Sequence, residues 1–230
     1  MTSRREARRE VHDRKEQELE FGRVLAFTDG VFAIAITLLI LDVKVPHPPP
    51  GADGAHPVEW SNGALGAALW VAGMWKSYIA YLLSFSVIFV MWVNHHRIFT
   101  IVRRTDQPFL FWNGLLLMLI SVVPFPTALL SEYFATPAAR TAAAVYSGHG
   151  FLIALAFRGV WQHATRNRHL LAPGSEAEVK RLTDQYRYGP LMYLVSFGCA
   201  FVSAYVSIGL CLVFAAFFSF MGFTGLDRRR

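Results

Sequence analysis

The sequence predicts an all-α integral membrane protein with six transmembrane helices per subunit. Three observations predict it: the composition, the length of the uncharged stretches, and the placement of Lys and Arg. Of 230 residues, 54% are hydrophobic and 17% charged, whereas soluble domains carry about a quarter charged residues. Mean hydropathy is +0.35, and 19 Phe, six Trp and eight Tyr add apolar surface that a soluble chain could not bury. The same composition excludes disordered, collagen-like and disulfide-scaffold classes. Cys199 and Cys211 both lie in apolar runs and read as small hydrophobes.

A helix needs about 20 mainly apolar residues to cross the hydrocarbon core. Four such pieces cover residues 23–44, 75–102, 108–131 and 141–157. The 37 residues 188–224 carry no charge and are too long for one helix. They divide into spans at about 186–203 and 207–225, with a tight turn near Ser203 to Ser207. Ahead of the six-span domain (residues 23–227), residues 1–22 predict a charged cytoplasmic helix. Its first 20 residues hold six Lys/Arg and six Asp/Glu, and pairs such as Glu10 and Arg14 have helical spacing. That balance describes a solvated, salt-bridged helix better than a lipid-binding polybasic arm.

The joints between spans follow from composition. Residues 46–60 cannot be helix, because prolines at 46, 48, 49, 50 and 57 remove donors and clash with preceding turns. Residues 64–74 are apolar but short, and predict an interfacial or re-entrant lead into the second span. Pro124 and Pro126 should bend the third span. Residues 170–184 form a polar loop with Ser175 placed to cap a short helix.

Orientation follows from the basic residues. Nineteen of the 22 Lys/Arg fall on one side of the six-span arrangement, leaving Lys44, Lys76 and Arg140 on the other. Both termini are therefore expected in the cytoplasm, which an even number of spans requires. No secretory signal precedes the first span on this reading, because the N-terminal stretch is too long and too acidic. The net charge of +6 thus reflects cytoplasmic loops of a plasma-membrane protein and not a nucleic-acid surface.

Chemistry concentrates in the first span. Asp29 and Asp42 enclose only twelve uncharged residues, about 18 Å of helix against a core of roughly 30 Å. At least one carboxylate must then lie at membrane depth, where an ionisable group faces protein or water. The second span returns to the same depth carrying Trp92, Asn94, His95, His96 and Arg97. Asp29 hydrogen-bonded to one of these donors, with Arg23 and Thr28 nearby, satisfies the groups together. A proton relay and a metal site compete with this network. Adjacent His95 and His96 point to different faces and no third ligand has suitable spacing, so no metal is expected.

Ile34, Thr37, Leu38 and Leu41 recur at i, i+3, i+4 and i+7, which by composition alone is compatible with ordinary helix packing. A mid-span Thr commonly bonds a preceding backbone carbonyl. His149, with Tyr146 and Ser147 beside it, reads as a satisfied neutral histidine in the fourth span. No phosphate-binding glycine loop, nucleophile elbow, HExxH or TVGYG segment is present, and nothing argues for an enzyme or an organic cofactor.

The run Arg23-x-x-x-Phe27-Thr28-Asp29-Gly30, continued by VFAIAITLLILDVKVP, resembles the first helix of the transmembrane-protein-175 family of potassium channels. The family signature is R-x-x-x-F-S-D, so Thr28 stands where Ser is usual and keeps the hydroxyl. The segments WVNHHRIF and PFPTALLSEY also resemble prokaryotic members, and the likeness spans about residues 20–225. The resemblance implies a homotetramer of six-span subunits that conducts K+ passively along the first helices. By position, Ile34 would form the constriction, Leu38 and Leu41 further apolar rings, and Thr37 a hydroxyl layer favouring potassium. Arg23, Phe27, Thr28 and Asp29 would anchor that helix against Trp92, Asn94 and His95 or His96, and Asp42 would gather cations at the outer mouth. The alternative is a small proton-coupled or proton-conducting transporter that uses Asp29 and His95.

Overall fold

A computed structural model of the chain describes residues 2–43 and 72–223. Every regular element in them is helical. The longest, α1 (Thr2–Leu38), joins the charged N-terminal stretch to the first apolar span without a break, and tightens into a 3-10 turn over Leu39–Asp42. The expected 46–60 loop, Lys44 and all but the last residues of the 64–74 segment lie outside the described residues.

Helix α2 (Trp75–Ile101) has 27 residues, about 40 Å of helix, long enough to cross a bilayer. A five-residue connector leads into α3 (Gln107–Val122), whose start is fixed by local chemistry. The Asp106 carboxylate accepts the Phe109 amide at 2.9 Å, and Pro108 occupies the first turn, where no amide partner is needed. The third span then breaks at Val123, and α4 (Pro124–Tyr133) continues it. Pro124 has no N–H to offer the ladder, and the Val123 amide turns to the Ile120 carbonyl at 3.1 Å. The Leu119 carbonyl is thereby left to accept from His149 Nε2 at 2.9 Å. The expected neighbours of that histidine bond elsewhere: the Tyr146 hydroxyl pairs with Ser84 and Ser147 donates to the Ala143 carbonyl.

Helix α5 (Ala139–Arg166) is the central element, packing on α3, α4 and two later helices. Its small residues Ala142, Ala143, Ala144, Ser147 and Gly150 let neighbours approach, the usual means of tight packing between membrane helices. At Gly159 a Cβ would lie 2.4 Å from the Trp112 ring. The helix ends at Asn167, whose side-chain amide donates to the His163 carbonyl at 2.9 Å. Helix α6 (Glu176–Tyr186) follows a polar turn. Ser175 stands at its N-cap position, yet its hydroxyl donates backwards to the Ala172 carbonyl at 2.7 Å and caps nothing in the helix.

The last apolar stretch folds into α7 (Gly189–Ala200) and α8 (Ala204–Phe223), packed on each other and on α5. Ser196 fixes the pair by donating to the Ser207 carbonyl at 2.8 Å. With 12 residues, α7 measures about 18 Å, less than the roughly 30 Å core. Among the described residues, four helical stretches are long and apolar enough to cross a membrane: Lys15–Leu41, Trp75–Ile101, Gln107–Tyr133 and Ala139–Arg166.

Candidate functional site

Helix α1 has two contrasting faces. Thr28, Phe32, Ala35 and Leu39 are buried against the rest of the chain, at spacings of four, three and four residues. The opposite side is uncovered: Phe27, Ile34 and Leu41 are 68%, 60% and 70% exposed, and Thr37 and Leu38 lie exposed between them. Ile34, Thr37, Leu38 and Leu41, the stripe singled out in the sequence, are therefore together on one free face. The Thr37 hydroxyl donates to the Ile34 carbonyl at 2.9 Å. Its oxygen lone pairs are left free on that exposed side. The 3-10 turn ends at Asp42, whose side chain lies outside the described residues.

The buried face is tied down by two separate hydrogen-bonded groups. In the first, Trp92 Nε1 donates to Asp29 Oδ1 at 2.9 Å. In the second, Asn113 of α3 stands between two helices. Its Nδ2 donates to Thr28 Oγ1 at 3.1 Å, and its Oδ1 accepts from His95 Nε2 at 2.9 Å. Thr28, His95 and Asn113 are all buried. Aromatic rings close over the histidine: Phe99 at 4.5 Å and Phe32 at 5.4 Å between centroids. Three helices thus meet at one polar knot inside an apolar core, an arrangement that fixes helix register because few alternatives satisfy every group.

The expected network gathers only in part. Of the five donors considered for Asp29, Trp92 is the one bonded to it, and no hydrogen-bonded path joins Asp29 to His95 among the described residues. Asn94 is directed away from α1. Its Nδ2 returns to the Val90 carbonyl, and its Oδ1 and main-chain carbonyl accept from the Tyr186 hydroxyl, each at 3.2 Å. The physical reason is helical phase, since positions 92 and 95 share a face that position 94 does not. His96 is exposed and meets the Trp92 ring at 5.8 Å. Arg23 and Phe27 stand on the uncovered face of α1, and Arg23 has no ion pair among the described residues.

Asn113 was missed by sequence reasoning. The signal was one amide in the otherwise apolar run FLFWNGLLLML, at a depth where an unpaired polar group is costly. A further polar group outside the spans is Asp106, which also accepts from His163 Nε2 at 2.8 Å. Partial burial raises the Asp106 pKa, but hydrogen bonds from His163 and the Phe109 amide and the nearby histidine charges outweigh it. Its carboxyl sits below the ordinary aspartate range.

Comparison with known proteins agrees with the motif. The family model described as endosomal/lysosomal potassium channel TMEM175 matches residues 23–124. A potassium channel of Chamaesiphon minutus is 50% identical over 204 residues, 88% of this chain and 95% of that protein. A potassium channel of Streptomyces collinus is 47% identical over 203 residues, 87% of this chain and 92% of that one. The crystal structure of a lysosomal potassium-selective channel TMEM175 homolog from Chamaesiphon minutus superposes with a TM-score of 0.76 at 48% identity. It covers 89% of this chain and 99% of its own. With the first-helix signature, the helical architecture and near full-length relatives in agreement, the chain belongs to the TMEM175 family.

Proposed function

We propose that this protein is a potassium channel that conducts passively, as a homotetramer of six-span subunits in the plasma membrane with both termini cytoplasmic. The observation that carries the reading is the uncovered apolar stripe of α1. A mid-membrane helix leaves such a face free when it lines an axis shared with other copies, and the opposite face is held by bonds that set its rotation. The two full-length relatives are named potassium channels, and 19 of the 22 Lys/Arg on one side fit cytoplasmic termini. For six spans, α7 and α8 form the last two, with α7 lengthened by its flanking loop residues.

In this assembly, four copies of Ile34 form the narrowest ring, with Leu38 and Leu41 above it. An apolar ring of this kind gates by dewetting and must widen or rotate before a hydrated ion passes. Thr37 presents four hydroxyl oxygens whose protons are committed to the Ile34 carbonyls, so the lone pairs meet the ion. Asp42 rings the outer mouth and raises local cation concentration. Arg23 and Phe27 extend the free face toward the cytoplasm. The two groups, Asp29 with Trp92 and Thr28 with Asn113 and His95, position α1 without contacting the ion. The proton-relay alternative loses support because Asp29 and His95 belong to separate hydrogen-bonded groups.

The test is flux from proteoliposomes under a potassium gradient and then an equal sodium gradient. Faster potassium flux without saturation or pH dependence is expected. Saturable, pH-driven flux would replace the channel with a transporter, and absent flux in both wild-type and Ile34→Asn protein would refute conduction.

A further inference from the structure

A groove outside the α1 stripe opens at the Lys/Arg-rich end of the bundle, with a volume of about 1010 Å³. One wall is the charged part of α1, at Gln17, Glu18 and Phe21. The other is built from the connector after α2, the turn over Arg168–Leu170 and the start of α6. Four full cations line it: Arg103, Arg104, Arg168 and Lys180, with His169 beside them and Glu18 and Glu176 as the carboxylates.

The backbone beneath these cations is locked. Val102 and Leu171 form an antiparallel bridge. The Arg103 and Arg104 amides donate to the Leu170 carbonyl at 2.8 and 3.3 Å, and the Ala172 amide donates to the Ile101 carbonyl at 2.8 Å. Arg103 and Arg104 are thus pinned beside the 3-10 turn that carries Arg168, although like charges repel. Among the described residues, none of the four cations forms an ion pair. Membrane orientation depends on how many cations lie on a side, and gives no reason to converge them in one groove on a pinned backbone. A bound polyanion gives one.

We propose that this groove binds a polyanionic phosphate group. Guanidinium forks match phosphate oxygens in pairs, so three of them favour phosphate over a single carboxylate. Phe21, Leu171 and Val179 add an apolar flank, which suits the phosphate of an anionic lipid headgroup as well as a free oligophosphate. The chemistry recognised is the same for both sources.

The experiment uses the full chain, purified as its assembled form. Pyrophosphate binding is measured by calorimetry. Retention of phosphatidylglycerol is measured by native mass spectrometry after passage through phosphatidylcholine vesicles with and without that lipid. Arg103→Gln and Arg168→Gln remove cations from the groove, Arg103→Lys keeps the charge, and Arg140→Gln is a control at the opposite end. Elution at the wild-type assembly volume excludes misfolding as the cause of any loss.

Each Gln substitution should weaken binding of one probe about tenfold or more, since hydrogen bonds to charged groups contribute about 1.5–3 kcal/mol and 1.4 kcal/mol is tenfold. Arg103→Lys should lose less, and Arg140→Gln should match wild type. Pyrophosphate affinity that follows this order assigns a soluble source, and phosphatidylglycerol retention that follows it assigns the lipid. If wild type holds neither probe better than the Gln variants, or if Arg140→Gln weakens binding equally, the proposal is overturned. Neither readout requires ion conduction, so its failure is distinct from failure of the channel reading.

Discussion

Asn113→Leu probes the buried knot most directly, because it keeps the side chain's size while removing both of its hydrogen bonds. The geometry specifies the loss: one bond to Thr28 Oγ1 at 3.1 Å and one to His95 Nε2 at 2.9 Å. Hydrogen bonds between membrane helices average about 0.6 kcal/mol and reach about 1.7, so the two together should stabilise by about 1–3 kcal/mol. The upper half applies if His95 is left with no partner, since its Nδ1 already lacks one. The assay is unfolding of the solubilised protein in a detergent titration, with Thr28→Ala, Asn113→Leu and the double variant measured together. The Thr28 bond is absent from all three variants, so the double should fall short of the sum of the singles by about that bond's energy. A parallel cycle of Trp92→Phe with Asn113→Leu should be close to additive, because Trp92 serves Asp29 in the other group. Strict additivity in the first cycle, or strong coupling in the second, would refute the two-group description.

Other expectations follow from the same geometry. Ile34→Asn should hydrate the proposed constriction and raise single-channel conductance with some loss of selectivity; unchanged currents would remove Ile34 from the gate. Thr37→Val keeps the shape and removes the hydroxyl, so the potassium-to-sodium permeability ratio should fall while conductance persists. Gly159→Ala places a methyl group 2.4 Å from the Trp112 ring, and overpacking of that kind should lower stability by about 1–3 kcal/mol in the same detergent titration. Asp106→Asn keeps the helix cap, where Asn serves about as well as Asp, and should cost about 1 kcal/mol through the weakened bond to His163. Because the Asp106 carboxyl lies below its ordinary value of 3.8, its ionised form stabilises the fold above that value. The contribution is lost as pH falls through the lowered value, and an acid melting series should show that loss in wild type and not in Asp106→Asn.

Much of the architecture was legible because the signals were long. Uncharged runs marked the apolar helices, Pro124 accounts for the interruption at Val123, and a 3–4 spacing grouped Ile34, Thr37, Leu38 and Leu41 without telling that their face is free. Side-chain partners were less legible. Shared depth narrowed the partners of Asp29 to five donors, but depth alone could not choose Trp92 among them or separate Asn94 from His95. Helical phase does so, and sends Asn94 to Tyr186 on a different element. Asn113 escaped notice because it comes from a third helix, and nothing in local spacing reports which apolar helix carries the missing amide. Ser175 illustrates the same limit, since it stands at the N-cap position its sequence context suggests, yet its hydroxyl donates back to the Ala172 carbonyl.

The two faces of α1 explain each other. At about 100° per residue, Ile34 is turned about 120° from Thr28 around the helix axis, and Thr37 stands about 180° from it. Asn113 and Trp92 hold Thr28 and Asp29 at adjacent angles, which leaves the helix little freedom to roll. Ile34 and Thr37 are therefore aimed by bonds made one and a half to two and a half turns away, on residues that need not touch an ion. A rotation large enough to replace Ile34 on the free face by the buried Ala35 would break both groups at once. This makes the signature residues Thr28 and Asp29 setters of rotational phase, and it predicts that changes to them move assembly and gating before they move ion preference.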